Sequence, residues 1–282
     1  MWKVNFNLNK PSQLEANAET NGMKVSISQG SDQLVVEFTE ACDEDDAHEK
    51  ALKVASQFLD VLWKSDTYLS IDLVSQVIEY ISPISKSIAI TPPPASCVAS
   101  TGPVKLEIKD SSGNILEEYD SSKPGTIEVK PSEAASYYRH AHLTNDPFDK
   151  FHDLYLVAEN VASKMQTAKR FSKNKVKQFS ESGESYEEGL LYLALDECFS
   201  SNQQSLKRTA KHLAEFDESK ETIPQVAKIL YKEFRCQLSH AKAPEDKKIP
   251  FNSEDIKEVK TALPLMEFVA RSLLQYEEDF LL

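Results

Sequence analysis

The sequence predicts an α+β protein, with a mixed α/β domain of antiparallel strands over residues 1–130 and an all-α helical bundle over residues 131–282. Two patterns support this prediction. Before residue 130, short runs of apolar residues alternate with polar ones, as in half-buried strands. After Pro131, apolar residues recur three and four positions apart, as in amphipathic helices. A chain of 282 residues is long enough for two domains with separate cores.

The N-terminal domain is predicted to contain several strands and one helix. Apolar alternation or short apolar runs indicate strands at Trp2–Leu8, Met23–Ile27, Leu34–Phe38, Leu69–Leu73, Val104–Ile108 and Ile127–Val129. Asp110–Asn114 has the residues of a hairpin turn. Helical spacing predicts a helix over about Asp45–Lys64, and the acidic residues at its start suit the positive end of the helix dipole. No catalytic pattern is present in residues 1–130, so the sequence does not indicate what this domain recognises.

The C-terminal half reads as five helices joined by short links, which is typical of a helical bundle. The first helix has a strong start, because Asp146 suits the N-cap, Pro147 the first helical position and Asp149 the first turn. This helix is predicted to end near Met165. Four further helices are predicted at about Tyr186–Phe199, Ser205–Phe216, Ile223–Lys242 and Ser253–Glu278. Pro264 is expected to kink the last one.

Composition excludes several classes of function. The net charge is −13, with −9 in residues 1–130 and −4 in residues 131–282, which contain every arginine. Such an acidic chain is not expected to bind duplex DNA, because phosphate contacts need a basic surface. The sequence has no apolar run long enough to span a membrane and no signal peptide at its start, so we expect a cytoplasmic protein. The four cysteines lack C-x-x-C spacing, which predicts reduced thiols and neither a zinc site nor a redox motif.

The most informative segment is Tyr231–Lys242. Apolar residues recur every four positions along this predicted helix, at Val226, Leu230, Phe234 and Leu238. Late in the helix, Arg235 and His240 form an R-x4-H pair. Five residues of a regular α-helix rotate by about 140°, so these two side chains do not share a face there. They meet only if the helix end distorts, or if two protomers each contribute a pair to one cleft.

An R-x4-H pair on a late helix of an all-α bundle resembles the HEPN superfamily. The segments Tyr137–Phe148 and Leu154–Glu159 look like the methylamine-utilisation J proteins, whose C-terminal half is HEPN-like. The resemblance covers about residues 131–282 and reaches the N-terminal domain only loosely. It implies a HEPN-like bundle that forms a homodimer. Many HEPN domains are metal-independent endoribonucleases, including toxins and antiviral effectors, whereas others are inactive binding modules. The methylamine-utilisation label names a genetic neighbourhood and no known reaction.

The resemblance assigns roles to individual residues. His240 is the candidate general acid or base, because imidazole exchanges protons near neutral pH. Arg235 is the candidate phosphate-binding group, because guanidinium stabilises charge on a phosphorane. Cys236 stands where many active HEPN domains have Asn, Asp or His, so the chain departs from the pattern at a supporting position. Glu159, Ser239 and Cys236 are supporting candidates. Glu159 is either a partly buried partner of Arg235 or a solvent-facing residue.

A lysine-rich link after the first bundle helix is a candidate RNA-binding segment. Its candidate residues are Lys169, Arg170, Lys173, Lys175 and Lys177. The alternative is a solvated loop with no ligand. His140, His142 and His152 lack a cysteine or acid at ligand spacing, so we predict no metal site and no cofactor.

The sequence therefore favours a metal-independent endoribonuclease that acts as a dimer on RNA. Two alternatives stay open. The bundle is either a catalytically inactive binding or assembly module, or an accessory protein of a metabolic operon. In both alternatives Arg235 pairs with a neighbouring helix and His240 caps a helix C-terminus, where an imidazolium is favoured.

Overall fold

A computed structural model describes residues 1–20, 22–62, 67–80, 105–109, 115–120, 132–180, 182–183, 185–239 and 252–281. The chain divides into two compact units, Met1–Pro131 and Ser132–Leu282. The first contains an antiparallel sheet and one long helix, and the second is mostly helical. The predicted α+β class is therefore confirmed.

The N-terminal unit is built on an antiparallel sheet. Its seven described strands are β1 (Trp2–Leu8), β2 (Glu15–Thr20), β3 (Met23–Ile27), β4 (Gln33–Phe38), β5 (Ile71–Tyr80), β6 (Lys105–Lys109) and β7 (Ile115–Asp120). They lie in the order β5-β1-β4-β3-β2-β6-β7, and every neighbouring pair is antiparallel. Helix α1 (Glu44–Val61) packs against β1, β3, β4 and β5. Alternate residues of the strands, such as Val4 and Phe6, form one core with Ala51 and Phe58 of α1.

Two strands of this sheet were not predicted. β2 has the sequence EANAET, in which Ala16 is the only fully buried side chain, so it has almost no apolar alternation to detect. β7 has two adjacent glutamates in its centre. The predicted strand Ile127–Val129 and the predicted turn Asp110–Asn114 lie outside the described residues.

The C-terminal unit consists of helices packed around α3. The described α-helices are α2 (Glu133–Leu143), α3 (Pro147–Ala168), α4 (Lys173–Lys177), α5 (Tyr186–Phe199), α6 (Gln203–Ala210), α7 (Thr222–Lys228), α8 (Gln237–Ser239) and α9 (Ser253–Phe280), with a π-helical segment at Ile229–Cys236. Helix α3 contacts α2, α5 and α9. The start of α3 is confirmed, since Asp146 Oδ1 accepts hydrogen bonds from the amides of Phe148 (2.8 Å) and Asp149 (3.2 Å).

A buried carboxylate ties three helices of this unit together. Glu277 on α9 is fully buried, and its Oε2 accepts a hydrogen bond from Ser132 Oγ at 2.5 Å. Its other oxygen pairs with Lys164 of α3. Ser132 also caps α2, because its Oγ accepts from the amide of Ala134 at 3.1 Å. These partners satisfy a charge that would otherwise be costly to bury.

The helices differ from the prediction in four places, one of which is that α6 ends at Ala210 and not at Phe216. Residues Glu133–Leu143 form a helix where only a packed segment was expected, and a short helix, α4, lies within the lysine-rich link. The helix predicted over Ile223–Lys242 is α-helical, then π-helical, then α-helical up to Ser239. Helix α9 is continuous from Ser253 to Phe280, with Pro264 inside it. Across the described part of the chain, no helix combines the length and apolar character needed to cross a bilayer.

Candidate functional site

Arg235 lies near the end of the π-helical segment Ile229–Cys236. Hydrogen bonds in a π-helix join residues five apart. Such segments are rare in proteins overall, but those that occur are often at functional sites. The segment is anchored by three buried residues, Ile229, Leu230 and Phe234. The Phe234 ring lies 5.4 Å from the ring of Phe151 on α3. Arg235 follows this anchor directly and is partly exposed, so the core fixes its backbone while its side chain reaches the surface.

The guanidinium of Arg235 lies over an aromatic ring. Its Cζ is 5.9 Å from the centroid of Tyr155 on α3, and the Tyr155 side chain is buried. A cation–π contact of this kind is worth about 0.5–2 kcal/mol and restricts the arginine to one region of the surface. Burial raises the pKa of Tyr155 far above its ordinary value, the charge of Glu159 raises it further, and Arg235 lowers it. Tyr155 is therefore a neutral platform at neutral pH.

Glu159 lies one turn after Tyr155, yet it forms no ion pair with Arg235 within 4.0 Å. The role of Glu159 as a supporting residue stays a prediction. Among the described residues, no carboxylate lies within 4.0 Å of Arg235.

Tyr231 and Cys236 extend the cluster on the π-helical segment. The Tyr231 hydroxyl donates to Glu187 Oε2 on α5 at 3.3 Å. Burial raises the pKa of Tyr231 to about 12, and the neighbouring Cys236 thiol also raises it. Tyr231 and Cys236 are five residues apart, and their interaction is what a π-helical repeat produces. The supporting candidate Cys236 thus contacts Tyr231, and its thiol is free and partly exposed.

The space beside this cluster is small. Tyr155, Glu159 and Glu187 line a cavity of about 10 Å³, closed on its other side by Ala158, Ala162, Leu190 and Leu191. A volume of that size holds roughly one water molecule. This cavity is therefore too small to hold a nucleotide.

The remaining residues of the predicted catalytic group are described only in part. Ser239 is the last residue of α8. His240 lies outside the described residues. The structure thus positions Arg235, Glu159 and Cys236 around Tyr155, and the roles predicted for Arg235 and His240 stay predictions.

The lysine-rich segment is arranged around aromatic rings. Lys169 pairs with Glu197, and Arg170 adopts a left-handed backbone conformation with φ +55°. Lys173 Nζ is 5.6 Å from the ring centroid of Tyr186, and Lys175 Nζ is 4.1 Å from that of Phe171. Lys177 is the last residue of α4 and is partly buried.

The sequence analysis did not predict the aromatic residues next to Arg235 or those in the lysine-rich segment. Tyr155 was recognised only as part of the buried stripe of α3, and the packing of α3 against the π-helical segment is a tertiary contact. The rings of Phe171 and Phe179 are interleaved with lysines in the printed sequence, and that alternation was the available signal.

A histidine–aspartate pair was also missed. His140 Nδ1 on α2 lies 2.5 Å from Asp153 Oδ2 on α3, and His152 Nδ1 lies 3.9 Å from Asp153 Oδ1. His142 lies near a different carboxylate, with its Nε2 3.6 Å from Glu267 Oε1 on α9. Within the described ranges, no group of three or more His, Cys, Asp or Glu side chains is placed to hold a metal ion.

The fold and this site define an α+β protein whose C-terminal helical unit carries a surface arginine on a π-helical segment. A model of the family "Methylamine utilization protein MauJ" matches residues 134–275, from α2 into α9. The chain belongs to this family. The predicted resemblance to methylamine-utilisation J proteins is confirmed for the C-terminal half, and membership of the HEPN superfamily stays a prediction. Searches of curated proteins and of solved structures gave no match.

Proposed function

We propose that this protein is a metal-independent endoribonuclease, in which Arg235 binds the scissile phosphate and His240 transfers the proton. The proposal rests on the exposure and the contacts of the Arg235 side chain. Its guanidinium is partly exposed, is held over the Tyr155 ring and has no carboxylate within 4.0 Å among the described residues. An unpaired guanidinium fixed in this way is suited to a planar, two-pronged contact with phosphate oxygens.

The reaction needs no further component. The 2′-hydroxyl of the RNA attacks the adjacent phosphorus while His240 accepts its proton, and a new O2′–P bond forms. Arg235 stabilises the negative charge that builds up on the phosphorane oxygens. The P–O5′ bond then breaks, and the leaving oxygen takes a proton from an imidazolium. The products are a 2′,3′-cyclic phosphate and a free 5′-hydroxyl.

Two features support a site shared by two copies of the chain. The cavity beside Tyr155 holds only about one water molecule, so this cavity alone does not enclose a nucleotide. After the π-helical segment the chain returns to α-helix at Gln237–Ser239, and residues five apart in an α-helix are rotated by about 140°, which favours a partner chain over the same helix as the source of the second group. We therefore expect a homodimer through the C-terminal unit, with the two segments facing each other.

The test uses the full chain and single-stranded RNA in EDTA. Wild-type protein is compared with Arg235→Ala, His240→Ala and Arg208→Ala, the last being an exposed arginine on α6 that serves as the matched control. We expect cyclic-phosphate ends from the wild type and the control, and a loss of at least about 100-fold in rate for the other two variants. RNA that stays intact with wild-type protein, or cleavage equal in all four proteins, would rule out the proposal.

A second function follows from the family. The name of the family concerns methylamine utilization, which favours a non-catalytic accessory or assembly protein of that pathway. This reading predicts intact RNA in the same assay. It also predicts a stable dimer in light scattering whose mass is unchanged by Arg235→Ala.

A further inference from the structure

We propose that the helical unit binds single-stranded RNA on a basic–aromatic surface formed by Phe171, Lys173, Lys175, Phe179 and Tyr186. This inference deepens the proposed function, since it names the form of RNA and the surface that holds it. The surface spans the link from α3 to the start of α5 and includes α4. Its five residues are not among those described around Arg235.

Two lysines of the surface lie over aromatic faces. Lys175 Nζ is 4.1 Å from the centroid of Phe171, and Lys173 Nζ is 5.6 Å from that of Tyr186. Both lysines are exposed and both rings are half-buried. Each pair places a cation beside a π-face. A nucleotide needs those two partners, because its phosphate binds a cation and its base stacks on a ring.

Hydrogen bonds and ring stacking with neighbouring residues hold the aromatic residues of the surface in place. Gln166 of α3 accepts a hydrogen bond from the Tyr186 hydroxyl at 2.8 Å and donates through Nε2 to the Phe171 carbonyl oxygen at 2.6 Å. The Phe179 ring lies 6.4 Å from that of Phe171 and stacks on Tyr192 at 5.5 Å, with 5° between the ring planes. Fixed rings lose little conformational freedom when a base stacks on them, which favours binding.

Residues 169–180, which hold four of the five residues of the surface, contain five basic side chains and no acidic one. Arg170, Lys173, Lys175 and Lys177 have no carboxylate within 4.0 Å among the described residues. Lys169 marks one border, since it pairs with Glu197, whose Oε1 also accepts from the Tyr276 hydroxyl at 2.9 Å. The other border lies near Tyr192, where the acidic residues are Asp196 and Glu221. Burial raises the pKa of Tyr192, and the charges of these two residues raise it further.

Single-stranded RNA fits these features better than duplex RNA or an acidic peptide. The faces of duplex bases are covered by their neighbours, so they cannot stack on protein rings. An acidic peptide would use the lysines but gain nothing from the rings. With a net charge of −13, the chain lacks the broad positive surface that tracks a duplex backbone. On binding, phosphates replace the rings as partners of Lys173 and Lys175, and bases take the ring faces.

The experiment measures binding of a fluorescein-labelled oligouridine by anisotropy. The background is full-length Arg235→Ala, so that no cleavage interferes. Phe171→Leu keeps an apolar side chain and removes the π-face, and we expect Kd to rise at least about fivefold. The double variant Lys173→Ala/Lys175→Ala removes two cations, so the slope of log K against log salt concentration should fall by about 1.4.

A matched control removes two exposed lysines of the N-terminal unit, Lys24→Ala/Lys53→Ala, and should leave Kd and the slope unchanged. Far-UV circular dichroism checks that every variant is folded. Absence of binding by the parent protein, an unchanged Kd for Phe171→Leu, or equal competition by polyglutamate or duplex RNA would each overturn the inference.

The same variants separate this inference from the proposed nuclease. If Phe171→Leu weakens binding but wild-type protein does not cleave RNA, the binding surface stands and the nuclease fails. If wild-type protein cleaves RNA and Phe171→Leu changes neither binding nor rate, the nuclease stands and the binding surface fails.

Discussion

Gly189→Ala tests the close packing of α4 on α5, which positions the basic–aromatic surface. A Cβ atom built at Gly189 would lie 2.0 Å from the carbonyl oxygen of Val176 and 2.9 Å from its carbonyl carbon. Both are backbone atoms, and Val176 is fully buried. No change of side-chain rotamer relieves this clash, so α4 has to move away from α5 by roughly 1 Å, since real Cβ contacts are essentially never shorter than 3.0 Å.

The sign of the effect follows from two opposing contributions. Within a helix, replacing glycine by alanine stabilises by about 0.5–1 kcal/mol, because alanine loses less backbone entropy on folding. Overpacking a filled site costs about 1–3 kcal/mol. At Gly189 the neighbour is main chain, so the upper half of that range applies. We expect a net destabilisation of about 1–2 kcal/mol, which lowers the Tm of a unit of this size by about 2–8 °C.

The assay can follow the two units separately. Trp2 and Trp63, the two tryptophans of the chain, both precede residue 131, whereas most of the helix lies after it. Far-UV circular dichroism during urea unfolding therefore reports mainly the C-terminal unit, and tryptophan fluorescence reports the N-terminal unit. We expect Gly189→Ala to shift the transition followed by circular dichroism and to leave the transition followed by tryptophan fluorescence unchanged. Gly183→Ala is the comparison variant without a clash, because its Cβ would meet no atom within 4 Å; its φ of +71° is strained for alanine, so a loss of about 1–2 kcal/mol from backbone strain alone is expected there.

A higher unfolding midpoint for Gly189→Ala would refute the reasoning, because it would mean that helix propensity outweighs the contact with Val176. Rescue by Val176→Ala would refute it as well. The clash involves main-chain atoms, and shortening the Val176 side chain leaves them in place.

Three further outcomes are expected. Arg170→Gly should raise the unfolding midpoint of the helical unit, because φ +55° strains any residue with a Cβ, and a lower midpoint would contradict this. In native protein at pH 8, Ellman's reagent should label the exposed Cys42 rapidly but not Cys198, whose pKa burial raises to about 12, as peptide mass spectrometry can check. Burial raises the pKa of Tyr231 to about 12 from 10.0, so its contribution to stability is complete below pH 10 and is lost as pH rises towards 12. Between pH 10 and pH 12, the urea midpoint of Tyr231→Phe should therefore fall less than that of the wild type. Parallel curves of midpoint against pH for the two proteins would contradict the assignment.

The parts of the fold that the sequence predicted are those with strong local signals. Helix α3 has an N-cap aspartate followed by proline, and α5 and α9 have long apolar periods, so their positions followed from the pattern. Strands β1, β3 and β4 bury every second residue, and their alternation was equally clear. The candidate Arg235 could be named because its side chain chemistry and position on a late helix are both readable from sequence.

The missed elements lack such signals. β2 is polar, and its place between β3 and β6 depends on pairing with both neighbours. Helix α2 buries mainly alanines and one tyrosine, which give a weak apolar period. Helix α4 has five residues, fewer than the length over which periodicity can be detected. The aromatic partners of Arg235, Lys173 and Lys175 are contacts between elements, and a single sequence does not specify those.

The π-helical segment is the most instructive difference, because a signal for it was present. Val226, Leu230 and Phe234 are spaced by four and are all buried. In a regular α-helix each step of four residues turns a side chain by about 40° away from the previous one, so such a series drifts off one face. A π-helix has more residues per turn and reduces that drift. The argument that residues five apart cannot share a face holds for an α-helix, and it does not hold within Ile229–Cys236. The spacing of Leu230 and Phe234 is therefore compatible with a helix wider than α, whereas Arg235 is followed by the α-helical residues Gln237–Ser239, to which α-helical geometry applies.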